Sequence, residues 1–143
     1  MSSTNVLRKQ HEEILRSANK ILRLVGEDNL VADATQVRTL LANLAGQVGV
    51  HLAIEDNAIY PKLLEHPDVV VRQMARTFMD EMGGIREAFA AYTRRWPTSL
   101  SIQNSPLDFI EETQALFAAL ATRIERENNQ LYTLVDRVGQ PSA

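Results

Sequence analysis

His51-Leu52-Ala53-Ile54-Glu55-Asp56-Asn57-Ala58-Ile59-Tyr60-Pro61 decides how this chain is read. It closes a run in which Val37, Leu41, Leu44, Val48, His51, Glu55 and Ala58 recur at steps of three and four, the period of one helix face. That face must turn toward a core, yet it carries an imidazole and a carboxylate where apolar side chains belong. Residues four apart on a helix lie on the same side, one turn from each other. An imidazole nitrogen and a carboxylate so spaced can hold one cation from one helix. An isolated pair of this kind is ordinarily a surface contact, so the neighbouring runs carry the decision.

Outward from this stretch the same period repeats. Leu7, His11, Ile14, Ala18, Ile21 and Val25 form a first face, with Ser3 or Thr4 as its cap and Gly26 at its end. The second run is expected to begin near Asp33 or Thr35, Pro61 to kink or end it, and His66-Pro67-Asp68 to break the chain. Asp68 is expected to cap a third run, Val71, Met74, Phe78, Met82, Ile85, Phe89 and Tyr92, which stops at Trp96-Pro97. Met74, Met79 and Met82 read as core or near-core residues. Ser105-Pro106-Leu107-Asp108 has the composition of a capped helix start. Phe109, Leu116, Leu120, Arg123, Glu127 and Leu134 follow as a fourth run, and 138–143 reads as a frayed tail. The longest connection, Pro97 to Asn104, joins runs three and four. Four long amphipathic helices with short connections imply an all-α, antiparallel up-down four-helix bundle in one domain, 1–143, with its core at about 5–137. No strand signal competes.

Composition narrows the chemistry. The chain has 143 residues, enough for one domain with a sizeable core. Its 45% hydrophobic and 23% charged residues exclude a disordered chain. The absence of cysteine excludes a thiol nucleophile, a disulfide framework and a cysteine-held cluster. A net charge of −3 gives no footprint for nucleic acid. Met1 to Gln10 lacks an apolar signal core, and no window resembles a membrane span. A cytoplasmic protein with no nucleic-acid or membrane partner is expected. The chain holds three histidines, His11, His51 and His66, of which His66 falls in a loop.

Polar residues stand on the wrong faces in a consistent way. His11 lies between Leu7 and Ile14, His51 and Glu55 between Val48 and Ala58, Arg123 and Glu127 between Leu120 and Leu134. Burying an unpaired charge costs several kcal/mol, of order 3–5, so these groups must meet one another or a bound ion. Local rules broken at a few places mark functional sites. There is also an internal echo. At an offset of 72, Glu55, Asn57, Ile59 and Tyr60 fall on Glu127, Asn129, Leu131 and Tyr132. At an offset of 71, His11-Glu12-Glu13-Ile14 falls on Met82-Gly83-Gly84-Ile85. Helix one echoes three and helix two echoes four, which suggests a two-fold pseudosymmetric bundle.

These residues resemble the hemerythrin-like, cation-binding HHE family across roughly Val6 to Arg137. The His51-x-x-x-Glu55 helix ending in Tyr60-Pro61 carries the most specific match, and Gln10-His11 followed by Ile14 matches the first-helix histidine. The resemblance implies a bundle holding a di-iron centre, with histidines from all four helices and carboxylates from the second and fourth. It implies dioxygen binding, or sensing and handling of oxygen, nitric oxide or iron. His11, His51, Glu55 and Glu127 match ligand positions. The third-helix histidine falls on Met82 and the fourth-helix histidine on Arg123.

That departure shapes the functional expectation. Met82 is a poor ligand for hard iron. Arg123, placed between Glu55 and Glu127, would bridge the carboxylates and take the place of a metal charge. The expected function is a sensory or regulatory binding module with a degenerate metal site and no enzymatic turnover, acting through a small ligand or a protein partner. The alternative is an oxygen, nitric oxide or iron carrier or sensor with one ion at His11, His51 and Glu55, or with two. Iron or another divalent metal is the expected cofactor, short of full di-iron occupancy. Tyr60 and Tyr132 are expected to pack in the core, a hydrogen bond toward the site being the alternative. Gly83-Gly84 is expected to serve close helix packing. Arg94-Arg95-Trp96 reads as charge placed at a helix C-terminus.

Overall fold

A computed structural model of the chain describes residues 4–26 and 30–138. Its long helices follow the apolar period. α1 (Asn5–Val25) buries Leu7, His11, Ile14, Ala18, Ile21 and Val25, all six positions of the first run. α2 (Leu30–Ile54) is helical from Leu30, upstream of the start expected at Asp33 or Thr35. Leu30 and Ala34 are buried there, so one more apolar turn outweighs the polar start signal. α3 (Tyr60–Leu64), α4 (Val69–Arg95), α5 (Ser99–Asn104), α6 (Pro106–Arg126) and α7 (Tyr132–Val138) follow. Four rods result: α1, α2 with α3, α4, and α6 with α7. They form an all-α bundle in which α1 packs on α2 and α6, and α4 packs on α3 and α6. Among the described residues there is no strand, and no helix is long and apolar enough to cross a membrane.

Two rods contain a wider turn. Glu55–Ile59 and Glu127–Leu131 are π turns, closed by the N–H groups of Tyr60 and Tyr132 donating to the carbonyls of Glu55 and Glu127. Pro61 therefore does not end the second rod, which runs on to Leu64. Proline has no N–H to offer the ladder, and it sits in the first turn of α3, where none is needed. The two π turns stand 72 residues apart, so the sequence echo is a repeat of backbone geometry. Turns of this kind concentrate at functional sites.

Helix ends follow local chemistry only in part. Asp68 caps α4 as expected, its carboxylate accepting from the Val70 N–H at 2.9 Å. Thr4 holds the cap position of α1 but makes no cap bond; its hydroxyl reaches the Asp136 carboxylate at 2.9 and 3.0 Å and ties the first rod to the last. Ser3 and 139–143 lie outside the described residues. Ser105 makes no side-chain cap either. The Pro97–Asn104 connection is not a plain loop: a capping box between Thr98 and Ser101 starts α5, which buries Ile102 against α2.

Two apolar clusters fill the bundle. One holds Ile14, Val48, Met82 and Ile124. The other holds Leu7, Ile59, Phe78 and Leu131. Fully burying such side chains contributes roughly 1.5–3 kcal/mol each. A polar layer lies between the clusters, entered at His11 on α1, at His51 and Glu55 on the second rod, and at Glu127 on the fourth. α4 passes from Phe78 to Met82 and contributes no buried polar side chain to it.

Candidate metal centre

His11, His51, Glu55 and Glu127 converge: each offers one ligand atom, and these atoms all lie within 4.8 Å of one another. All four are buried, with relative exposures of 1%, 3%, 0% and 0%. His11 Nε2 is 2.9 Å from His51 Nε2 and 3.0 Å from Glu127 Oε1. His51 Nε2 is 3.4 Å from Glu55 Oε2 and 3.9 Å from Glu127 Oε1.

The imidazoles are aimed from behind. His11 Nδ1 is 2.8 Å from the Asn128 amide oxygen, and His51 Nδ1 is 2.9 Å from the Gln10 amide oxygen. An amide oxygen accepts, so each Nδ1 carries a proton and each Nε2 faces the cluster. Two ring nitrogens 2.9 Å apart need a proton or a metal ion between them. Fixing the far nitrogen in this way is how proteins orient metal-binding histidines. Sequence reasoning missed Asn128 and noted Gln10 only as His11's neighbour. Which helix each amide would meet was a matter of tertiary packing.

The electrostatics favour positive charge, a proton or a metal ion, among these groups. Burial works against charge on His51, yet its hydrogen bonds to Glu127 and Glu55 win and push it up to about 9. Burial likewise opposes the charge on Glu127, but hydrogen bonds from His11 and His51 hold it below the ordinary carboxylate value. Burial holds Glu55 above that value, despite its bonds to His51 and Tyr132. Glu55 Oε1, Glu127 Oε2 and the Tyr60 hydroxyl are buried and have no hydrogen-bond partner among the described residues. Leaving such a group unpaired costs about 1–3 kcal/mol.

Several expectations are corrected. Arg123 does not lie between Glu55 and Glu127; its guanidinium pairs with Glu81, which Arg126 also holds at 2.6 Å. The hydrogen bond from Arg126, joined by that from Arg123, holds the Glu81 carboxyl below its usual range against the opposing effect of burial. The repeat explains the arrangement. Gln10 and Glu81 are equivalent at the offset of 71, and His51 and Arg123 at 72, so Gln10 on His51 is mirrored by Glu81 on Arg123. Tyr132 is fully buried and does more than pack: its oxygen is 2.7 Å from Glu55 Oε2, to which it donates, and 3.0 and 3.1 Å from the Nε2 atoms of His51 and His11. Burial and the two carboxylates push its phenol far above the ordinary value. Tyr60 reaches none of these atoms and is raised likewise by burial, Glu55 and Glu127. Met82 is buried as expected, whereas Met79 is exposed. An added Cβ at Gly83 or Gly84 would meet nothing within 4 Å, so close packing does not require them. His66 lies outside the cluster and accepts from the Asp68 N–H.

The family model for the hemerythrin HHE cation binding domain matches residues 2–135. The chain belongs to the hemerythrin HHE cation-binding domain family. Searches of curated proteins and of solved structures return no match. The hemerythrin family implies a bound metal, typically iron, and the donor set here fits one cation. Ligand atoms sharing an octahedral ion with bonds of about 2.1 Å are neighbours about 3.0 Å apart. The closest contacts in this hemerythrin cluster, 2.9 and 3.0 Å, match that edge.

Proposed function

We propose that this hemerythrin-family chain is a regulatory or sensory binding module built around one cation, held by His11, His51, Glu55 and Glu127, and that it turns over no substrate. The observation that carries the reading is the facing pair of Nε2 atoms, each fixed through its far nitrogen by Gln10 or Asn128, beside two buried carboxylates. Such an ion supplies Lewis acidity and, if it is iron, one-electron chemistry. Gln10 and Asn128 hold the ring tautomers, Tyr132 holds Glu55 by a hydrogen bond, and the two apolar clusters exclude water. The second half of the family site is degenerate: Met82 offers no suitable donor, and Arg123 is engaged by Glu81. A cytoplasmic location and a small-molecule or protein partner belong to this reading.

Metal analysis of protein purified without chelators tests it. One cation per chain is expected, lost in His51→Ala. Absence of metal, even after incubation with ferrous or ferric iron, would remove the centre. One observation favours a second reading: the unpartnered Glu55 Oε1 and Glu127 Oε2 could serve a second ion. Two iron atoms per chain would establish that reading in place of the degenerate site.

A further inference from the structure

We propose that Tyr132 is a fifth ligand of this centre and binds ferric iron through its phenolate oxygen. The inference rests on the one-cation reading above and extends it to a residue outside the His/Glu set.

The Tyr132 oxygen lies 2.7 Å from Glu55 Oε2, 3.0 Å from His51 Nε2 and 3.1 Å from His11 Nε2. These separations match those within the His/Glu cluster. A phenol has one proton to give. Glu55 Oε2 takes it, which leaves the lone pairs of the phenolic oxygen facing the Nε2 atoms of His51 and His11. A cation among the four atoms satisfies all of them, with the phenol as an oxygen ligand.

The backbone brings the side chain there. In an α-helix of 3.6 residues per turn, residues five apart point about 140° away from each other. Tyr132 follows Glu127 by five, so a regular helix would send one of the two out of the site. The π turn at Glu127–Leu131 returns Tyr132 to the face of Glu127. Stacking on His11, at a centroid distance of 5.0 Å and an interplanar angle of 22°, then fixes the ring. Tyr60, its counterpart across the repeat, follows the same kind of turn, but its hydroxyl has no partner. It is the internal control.

The donor chemistry selects the ion. Two carboxylates and a phenolate supply three negative charges in a buried layer, which suits a trivalent, oxygen-preferring ion. Tyrosinate is an established iron ligand in proteins. On binding, the O–Fe bond replaces the O–H bond, and the phenolic proton leaves to solvent. No electron is transferred when the iron is supplied as ferric.

The test is optical. Metal-free protein is loaded with ferric citrate, freed of excess iron, and examined by visible absorption and resonance Raman spectroscopy, with iron counted per chain. The wild type should bind iron and show a phenolate-to-iron charge-transfer band with tyrosinate modes. Tyr132→Phe should retain iron and lose the band; Tyr60→Phe should keep both. Iron bound without the band, or a band that survives Tyr132→Phe, would overturn the ligation and leave the metal centre standing. Failure of the wild type to bind iron would overturn the centre itself. If Tyr132→Phe does not fold, wild type grown with ring-deuterated tyrosine decides: Raman modes of the bound iron that shift with the label support a tyrosine ligand, and modes that stay in place overturn it.

Discussion

At the scale of single residues, the centre is governed by what stands behind it. Gln10 and Asn128 are not candidate ligands themselves, yet each sets which imidazole nitrogen faces the cluster. Removing a group of this kind typically lowers metal affinity by roughly 10–100-fold. Gln10→Ala and Asn128→Ala should each do so in a chelator-competition titration, with helicity unchanged by circular dichroism. Arg123 is the opposite case. Its sequence position placed it among buried carboxylates, where its loss would strand two charges. Its partner is instead Glu81, partly exposed and shared with Arg126. Screened pairs of this kind contribute at most about 1 kcal/mol. Arg123→Ala should lower stability in urea by no more than about that. A loss several times larger would mean that Arg123 neutralises Glu55 or Glu127 after all.

At the scale of elements, the π turns connect sequence to site. The 3.6-residue period located α1, α4 and most of α2 and α6, because burial of one face sets that period. It did not foresee that Glu55 and Tyr60, or Glu127 and Tyr132, lie either side of a wider turn. Tyr132 therefore read as a core residue. The echo at an offset of 72 was visible, but its meaning, a repeated π turn, was not. α4 offers a separate test. Gly83 and Gly84 lie inside it, neither requires a positive φ, and a methyl group at either meets open space. Gly83→Ala and Gly84→Ala should each stabilise the protein by about 0.5–1 kcal/mol, through lower backbone entropy in the unfolded chain. Denaturant unfolding would measure it. Destabilisation would show that the pair is needed for a motion or a contact that this conformation does not contain.

At the scale of the whole molecule, the two halves of the repeat carry different side chains at equivalent positions. Gln10 with His51 on one side corresponds to Glu81 with Arg123 on the other, and His11 corresponds to Met82. If the scaffold is otherwise equivalent, the double variant Met82→His with Arg123→His should raise metal content from one ion to two per chain, with Glu81 ready to accept from the new imidazole at 123. Unchanged stoichiometry would show that the second half has lost more than its two histidines. The sequence by itself determined the all-α bundle, because a repeated apolar period over four long runs has few other ways to bury its faces. It also marked the four residues that converge, through the polar intrusions on buried faces and the family resemblance, but it grouped with them Arg123, which pairs elsewhere. Tertiary structure alone decided the direction of Arg123, the placing of the Tyr132 oxygen among the ligand atoms, and the pairing of each histidine with an amide from another helix. Those outcomes depend on the rotation of each rod about its axis. A π turn resets that rotation locally, and no periodicity in a single chain reports it.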